Sequence, residues 1–250
     1  MQISDLQRHL SLAKKAAKQA GQKLIKTTNT DVKINSSINK DIKLEADVES
    51  EKLIVKILAD NSSFNILSEE SGTIKSNNSD GYCWIVDPLD GSLNYSRNID
   101  FYVVSIGLWK NGEPVLGVVY DFLHDKLYSG IVNDKAMCND AVIKVSDINE
   151  KNKCILATGF PVYTSFDKAS LDNFVTNIQD YKKVRLLGSA ALSLIYVAKG
   201  SIDAYTEDNI AIWDVAAGLA IVLAAGGKTS FTTGKNSEYL NVFAHNGQII

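Results

Sequence analysis

A chain of 250 residues, 45% hydrophobic and 22% charged, can bury a large core and fits one compact unit or two small lobes. A net charge of −3 lacks the clustered Lys and Arg on which duplex binding relies, so nucleic acid is not expected as a direct partner. No apolar run approaches the roughly 20 residues that span a bilayer, and the opening MQISDLQRHL lacks the basic-then-apolar layout of an export signal, which predicts a cytoplasmic protein without a membrane partner.

Leu6, Leu10, Ala13, Ala17, Ala20 and Leu24 recur at spacings of four and three, which predicts a long amphipathic opening helix with Ser4 and Gln7 as a capping box. Residues 27–39 are rich in Asn, Ser, Thr and Lys and read as a mobile loop. A second helix is expected from Asp47, with Val48, Leu53, Ile54, Ile57 and Leu58 facing inward, to a break at Asp60, Asn61 and Ser62. Apolar or β-branched runs at 64–67, 82–86, 102–109, 115–120 and 126–131 predict a largely antiparallel sheet. Beyond it, strands at 153–157, 183–187 and 202–205 alternate with helices at 171–180, 190–199 and 215–225, the pattern of an α/β lobe. Two lobes are therefore expected, 1–145 and 146–250.

Cys83, Cys138 and Cys154 are odd in number and never form CxxC, so disulfide scaffolding and thiolate zinc are both disfavoured. The acids are more informative. Glu69 and Glu70 follow one strand, Asp87 and Asp90 follow Tyr-Cys-Trp-Ile-Val, Asp47 opens the second helix and Asp214 opens the apolar Trp-Asp-Val-Ala-Ala-Gly helix. Singly, Asp47 and Asp214 read as well as helix N-caps, Glu-Glu as a solvated pair and Asp-Pro as a turn. Asp87 and Asp90 together are harder to treat so, because a turn brings acids three apart toward one point. Two carboxylates about 4 Å apart repel by about 1 kcal/mol in water and about 4 kcal/mol at intermediate dielectric, so a buried cluster needs protons or cations. Oxygen donors of this kind suit Mg²⁺, whereas zinc would want His or Cys that the turn does not offer. Gly91 and Ser92 beside them can open a helical turn whose amides face an anion, or form a plain Asp-Gly turn.

The run WIVDPLDGSLNY resembles the first hallmark motif of the inositol monophosphatase family, and WDVAAG at 213–218 resembles its second; SEES at 68–71, EAD at 45–47 and GSAA at 188–191 fall in the expected order. The resemblance covers nearly the whole chain and is nearest to the SuhB-like bacterial branch. It implies a layered αβαβα sandwich of the inositol monophosphatase and fructose-1,6-bisphosphatase type, an α+β and α/β mixture, assembled as a homodimer and sensitive to lithium. By position it implies that Glu69, Asp87 and the Leu89 carbonyl ligate one Mg²⁺, that Asp87, Asp90 and Asp214 hold a second, and that a weaker third lies near Glu69. Asp47, Glu69 and Ser92 are then the catalytic residues that position the attacking water. Gly91 and Ser92 supply phosphate-binding amides, and Ala190 and Glu207 line the alcohol side of the substrate.

The activity this resemblance implies is that of a Mg²⁺-dependent phosphomonoesterase, which hydrolyses a small phosphorylated alcohol such as inositol 1-phosphate by metal-activated water. Three departures from the family pattern stand out: Ser92 replaces the usual Thr and keeps its hydroxyl, Ala211 stands near a His of animal members, and Lys-Asp-Ile-Lys-Leu precedes EAD where Ser-Pro-Val-Thr is common. The alternatives are a 3′(2′),5′-bisphosphate nucleotidase of the CysQ type and a SuhB-like binding partner of RNA polymerase or elongation factors. Leu93, Asn94 and Tyr95 stand where CysQ-type enzymes usually have Lys-Glu-Phe. Unrelated chemistries fit worse. Haloacid-dehalogenase-type phosphatases space their aspartates two apart, Gly-Gly-Lys-Thr at 226–229 has Val222 where a P-loop needs glycine, and no GxSxG elbow occurs.

Overall fold

The computed structural model of the chain describes residues 2–28, 34–38, 41–76, 79–160 and 166–249. Two helices, α1 (Ile3–Thr28) and α2 (Glu45–Asn61), pack together on one face of an eight-stranded sheet. Leu10, Ala13, Ala17, Ala20 and Leu24 form the buried stripe of α1, as their spacing requires. Between the helices, β1 (Ile34–Ile38) and β2 (Asp41–Leu44) pair antiparallel. This hairpin corrects the loop expected over 27–39, whose residues 29–33 and 39 lie outside the described ones, as does Lys40.

The large sheet runs in the order β10 (Ala141–Ile143), β9 (Ala136–Cys138), β8 (Lys126–Ile131), β7 (Glu113–Asp121), β6 (Val103–Lys110), β5 (Tyr82–Asp90), β3 (Asn65–Ser68), β4 (Gly72–Ile74). Every pairing is antiparallel except β3 with β5. Alternation along the strands serves two cores. On β6 and β7, Val104, Ile106, Leu108, Leu116 and Val118 face α1 and α2, while Val103, Trp109 and Val119 face the other way.

That opposite face carries α6 (Ile212–Ala224), paired with α5 (Ala190–Ala198). Helix α6 lies so close that a Cβ at Gly117 would stand 2.1 Å from the Ala217 carbonyl oxygen, and one at Gly107 would stand 3.0 Å from the Ala216 carbonyl carbon. Only glycine permits that approach. Beyond the helix pair lies a five-stranded sheet, ordered β12 (Lys183–Leu186), β11 (Ile155–Thr158), β13 (Ala204–Ala211), β15 (Tyr239–His245), β14 (Lys228–Thr233). Its outer face packs Leu156 and Ala204 against Ile178 at the end of α4 (Lys168–Ile178). The layers are thus helix, sheet, helix, sheet, helix, the αβαβα order expected. Gly-Gly-Lys-Thr at 226–229 leads into β14, followed by β15, where one final strand was expected.

Candidate functional site

Asp87 and Asp90 do not sit on a turn after a strand, as the sequence suggested; both belong to β5, which is bulged between them. Asp87 pairs with Ser105 and Asp90 with Val103, so three steps along β5 match two along β6. In a regular strand residues three apart point to opposite faces, and the extra residue returns them to the same side. Asp87 Oδ1 accepts the Leu89 amide at 2.9 Å, which ties down the bulge.

Asp214 meets them from the other half of the chain. It is the third residue of α6, just as Asp47 is the third of α2, so neither is an N-cap; both helices start earlier than expected. One carboxylate oxygen each from Asp87, Asp90 and Asp214 lies within 4.8 Å of the others. Asp87 and Asp90 are buried, and Asp214 keeps part of its surface on the cavity. Burial, then the charges of Glu69, Asp90 and Asp214, push the Asp87 carboxyl well above its ordinary range. Asp214 is pushed the same way by burial and by Asp90, Glu69 and Glu207. Asp90 rises less, from 3.8 to about 6, because the Ser189 hydroxyl and the amides at the start of α5 stabilise its anion. Ser189 Oγ donates to it at 2.5 Å and the Ala191 amide at 2.8 Å. The first turn of α5 therefore faces Asp90, where its amides favour negative charge, while the first turn of α6 carries Asp214 itself.

A cavity of about 340 Å³ opens above this cluster. Glu69, Leu89, Gly91, Ser92, Ala190 and Glu207 all line it, so the structure gathers these expected site residues around the three aspartates. Asp47 does not line it; it is buried on α2, which packs against β5. Gly91 adopts φ 90°, and a Cβ there would lie 2.8 Å from the Phe101 carbonyl oxygen, so this position demands glycine. It precedes the short helix α3 (Ser92–Ser96). At the far wall, Glu207 rises from 4.5 to about 7, chiefly through burial, while accepting the Tyr205 hydroxyl at 2.8 Å.

A model of the inositol monophosphatase family matches residues 5–248. The chain belongs to that family. It is 38% identical over 217 residues to "Nus factor SuhB" of Xylella fastidiosa, covering 85% of this chain and 78% of that one. It is 32% identical over 234 residues to "Inositol-1-monophosphatase" of Bacillus subtilis, covering 92% and 87%. Among solved structures, the extragenic suppressor protein suhB of Bartonella henselae superposes with a TM-score of 0.84 at 32% identity, covering 96% and 95%.

On this inositol monophosphatase scaffold the three aspartates could hold a metal ion: they offer hard oxygen donors, and their raised pKa values record burial and mutual repulsion that a cation would offset. Sequence reasoning missed three supports of the site. Ser189 caps α5 while serving Asp90, and its signal was a serine standing directly before an apolar helical run. Tyr205 orients Glu207. Glu51 is buried behind Glu69, and on a helix rich in Glu, Lys and Asp nothing local distinguished it.

Proposed function

We propose that the chain is a Mg²⁺-dependent phosphomonoesterase acting on a small phosphorylated alcohol of the inositol 1-phosphate kind. The observation that carries this reading is the convergence of Asp87, Asp90 and Asp214 within 4.8 Å at one end of a cavity that Gly91 and Ser92 also line. In it, Asp87, Asp90, Asp214 and Glu69, with the Leu89 carbonyl, hold two Mg²⁺ ions, and a third binds more weakly near Glu69. Bound there, Mg²⁺ supplies the activation of water and the neutralisation of phosphoryl charge that this class of hydrolysis needs. Asp47, Glu69 and Ser92 orient the attacking water, whose proton goes to a carboxylate: Glu69 on the cavity wall, or Asp47 on α2, which packs against β5. The Gly91 and Ser92 amides hold phosphate oxygens, and Ala190 and Glu207 face the alcohol. In-line attack of water on phosphorus breaks the ester bond and releases the alcohol and inorganic phosphate.

The charge of the cavity supports a monoester over a bisphosphate. Among the described residues its lining includes Glu69, Asp87, Asp90, Glu207 and Asp214 and no Lys, Arg or His, so a second phosphate would meet no cationic side chain among them. The test is phosphate release from inositol 1-phosphate and from adenosine 3′,5′-bisphosphate, with and without Mg²⁺. Mg²⁺-dependent turnover of the monoester supports the assignment, and a strong preference for the nucleotide reverses it.

A second reading draws on the name Nus factor SuhB borne by relatives. Helix α1 carries Arg8, Lys14, Lys15, Lys18 and Lys26, with Lys23 paired to Glu49, against the single acid Asp5, a basic helix on an acidic protein that suits an acidic protein surface. In this reading the chain is a partner of RNA polymerase or its elongation factors. Association with them by the purified Asp87→Asn variant would support it, because a scaffold role survives loss of the metal centre.

A further inference from the structure

We infer that Glu51 is a positioning residue for the metal centre: it sets where Glu69 stands by gripping the turn that carries it. The inference rests on the reading of Glu69 as a metal ligand. Glu51 lies on α2, with its side chain turned inward and only 2% exposed. Its Oε2 accepts the Ser68 hydroxyl at 2.5 Å and the Glu70 amide at 2.8 Å, and its Oε1 accepts the Ser71 hydroxyl. All three donors belong to the four residues 68–71. They bracket Glu69 on both sides.

Location makes the grip consequential. Residues 69–71 form the bend of the β3–β4 hairpin, and β4 is the edge strand of the large sheet. A hairpin tip at a sheet edge is usually free to move, because few backbone bonds cross it. Here a buried carboxylate takes the place of the missing strand. Ser50, the next residue on α2, donates through its hydroxyl to the Pro88 carbonyl at 3.4 Å, inside the bulge between Asp87 and Asp90. Adjacent residues on one helix thus touch both segments that deliver acids to the site. A buried carboxylate close to other acids is costly to keep. Gln would have nearly the same shape, yet it offers one acceptor oxygen where three donors need two. The carboxyl group's two oxygens meet all three donors, and the consequence is a fixed Glu69.

The experiment uses the full chain as Glu51→Gln, with Ser71→Ala as a milder variant that removes one donor. Two quantities are read: amide hydrogen exchange of the segment 65–74 in metal-free protein, and Mn²⁺ affinity by titration calorimetry. Glu51→Gln is expected to exchange about tenfold faster there and to bind Mn²⁺ about 10- to 100-fold more weakly, the usual range for partners that orient metal ligands. Ser71→Ala should shift both in the same direction by a smaller factor, and it carries the test if Glu51→Gln does not fold. Exchange and affinity both within about twofold of wild type would overturn the inference, since a fixed turn would then not depend on Glu51. Faster exchange with unchanged Mn²⁺ affinity would also overturn it, by showing that the grip has no bearing on the metal. Failure of the underlying reading looks different: wild type itself would bind no Mn²⁺, or Asp87→Asn would bind it as well as wild type does.

Discussion

The Asn94 side-chain amide donates to the Leu187 carbonyl and to the Phe101 carbonyl, each at 2.9 Å. Asn94 sits on α3, two residues after Ser92, which with Gly91 forms the proposed phosphate-binding pair, while Leu187 begins the loop that enters α5 through Ser189. One buried amide therefore ties the anion end of the cavity to the helix whose first turn braces Asp90. Replacing Asn94 with Ala takes a donor from the Phe101, Leu187 and Gly188 carbonyls and is expected to cost about 1–3 kcal/mol. Because the loss falls between two walls of the cavity, KM for the phosphomonoester should rise together with the drop in melting temperature. A variant that melts lower but keeps its KM would show that the tie is purely structural.

Asp87→Asn separates function from stability. In the proposed assignment it abolishes Mg²⁺-dependent phosphate release, while in metal-free protein it removes a carboxyl that burial, then Glu69, Asp90 and Asp214, hold well above its ordinary range, so the native state no longer has to carry a buried charge or take up a proton there. The melting temperature without metal should therefore rise, by about 2–4 °C for each ~1 kcal/mol relieved in a chain of this size. Calorimetry of both proteins after chelation checks this. Full retained activity would remove Asp87 from the metal set.

The pH dependence of metal-free stability is governed by carboxyls raised by burial. For Asp90 the unfolded value is 3.8 and the folded value about 6, so between these the native state holds a proton that the unfolded chain has released. Stability then falls as pH rises through that window, and the contribution levels off above it. Glu207 adds a second decline from 4.5 to about 7. Mg²⁺ prefers ionised carboxylates and should flatten or reverse the slope. Melting midpoints from about pH 4 to about pH 8, with chelator and with Mg²⁺, test the sign, and Glu207→Gln isolates the upper part of the decline.

Gly91→Ala tests the anion wall. With φ 90° and the Phe101 carbonyl 2.8 Å from the incoming methyl, the turn must shift. The strain is expected at about 1–3 kcal/mol. Misplaced amides should lower kcat/KM by about 10²-fold, while Mn²⁺ affinity measured by calorimetry stays near wild type.

Legibility in the sequence depended on how local each signal was. Asp87, Asp90 and Asp214 could be named because each lies in a short, distinctive motif, and the inward stripe of α1 could be named because helical periodicity is written along one segment. The bulge could not be named, since it exists only as a mismatch between β5 and the strand paired to it. Strands of three residues, such as Gly72–Ile74, Ala136–Cys138 and Ala141–Ile143, are too short for alternation to register. Glu51 is the sharpest case: on α2 it reads as one more solvated acid, and only the folded hairpin above it makes it a buried clamp.

Helix α6 rests its backbone on Gly107 and Gly117, and it is the element that carries Asp214. The bare backbone of two glycines in the first half of the chain thus sets the altitude of an acid contributed by the second. A single added methyl at Gly117 would act as a shim, lifting that acid away from Asp87 and Asp90 without touching the pocket. Tuning of this centre can therefore come from underneath, through residues that no substrate ever meets.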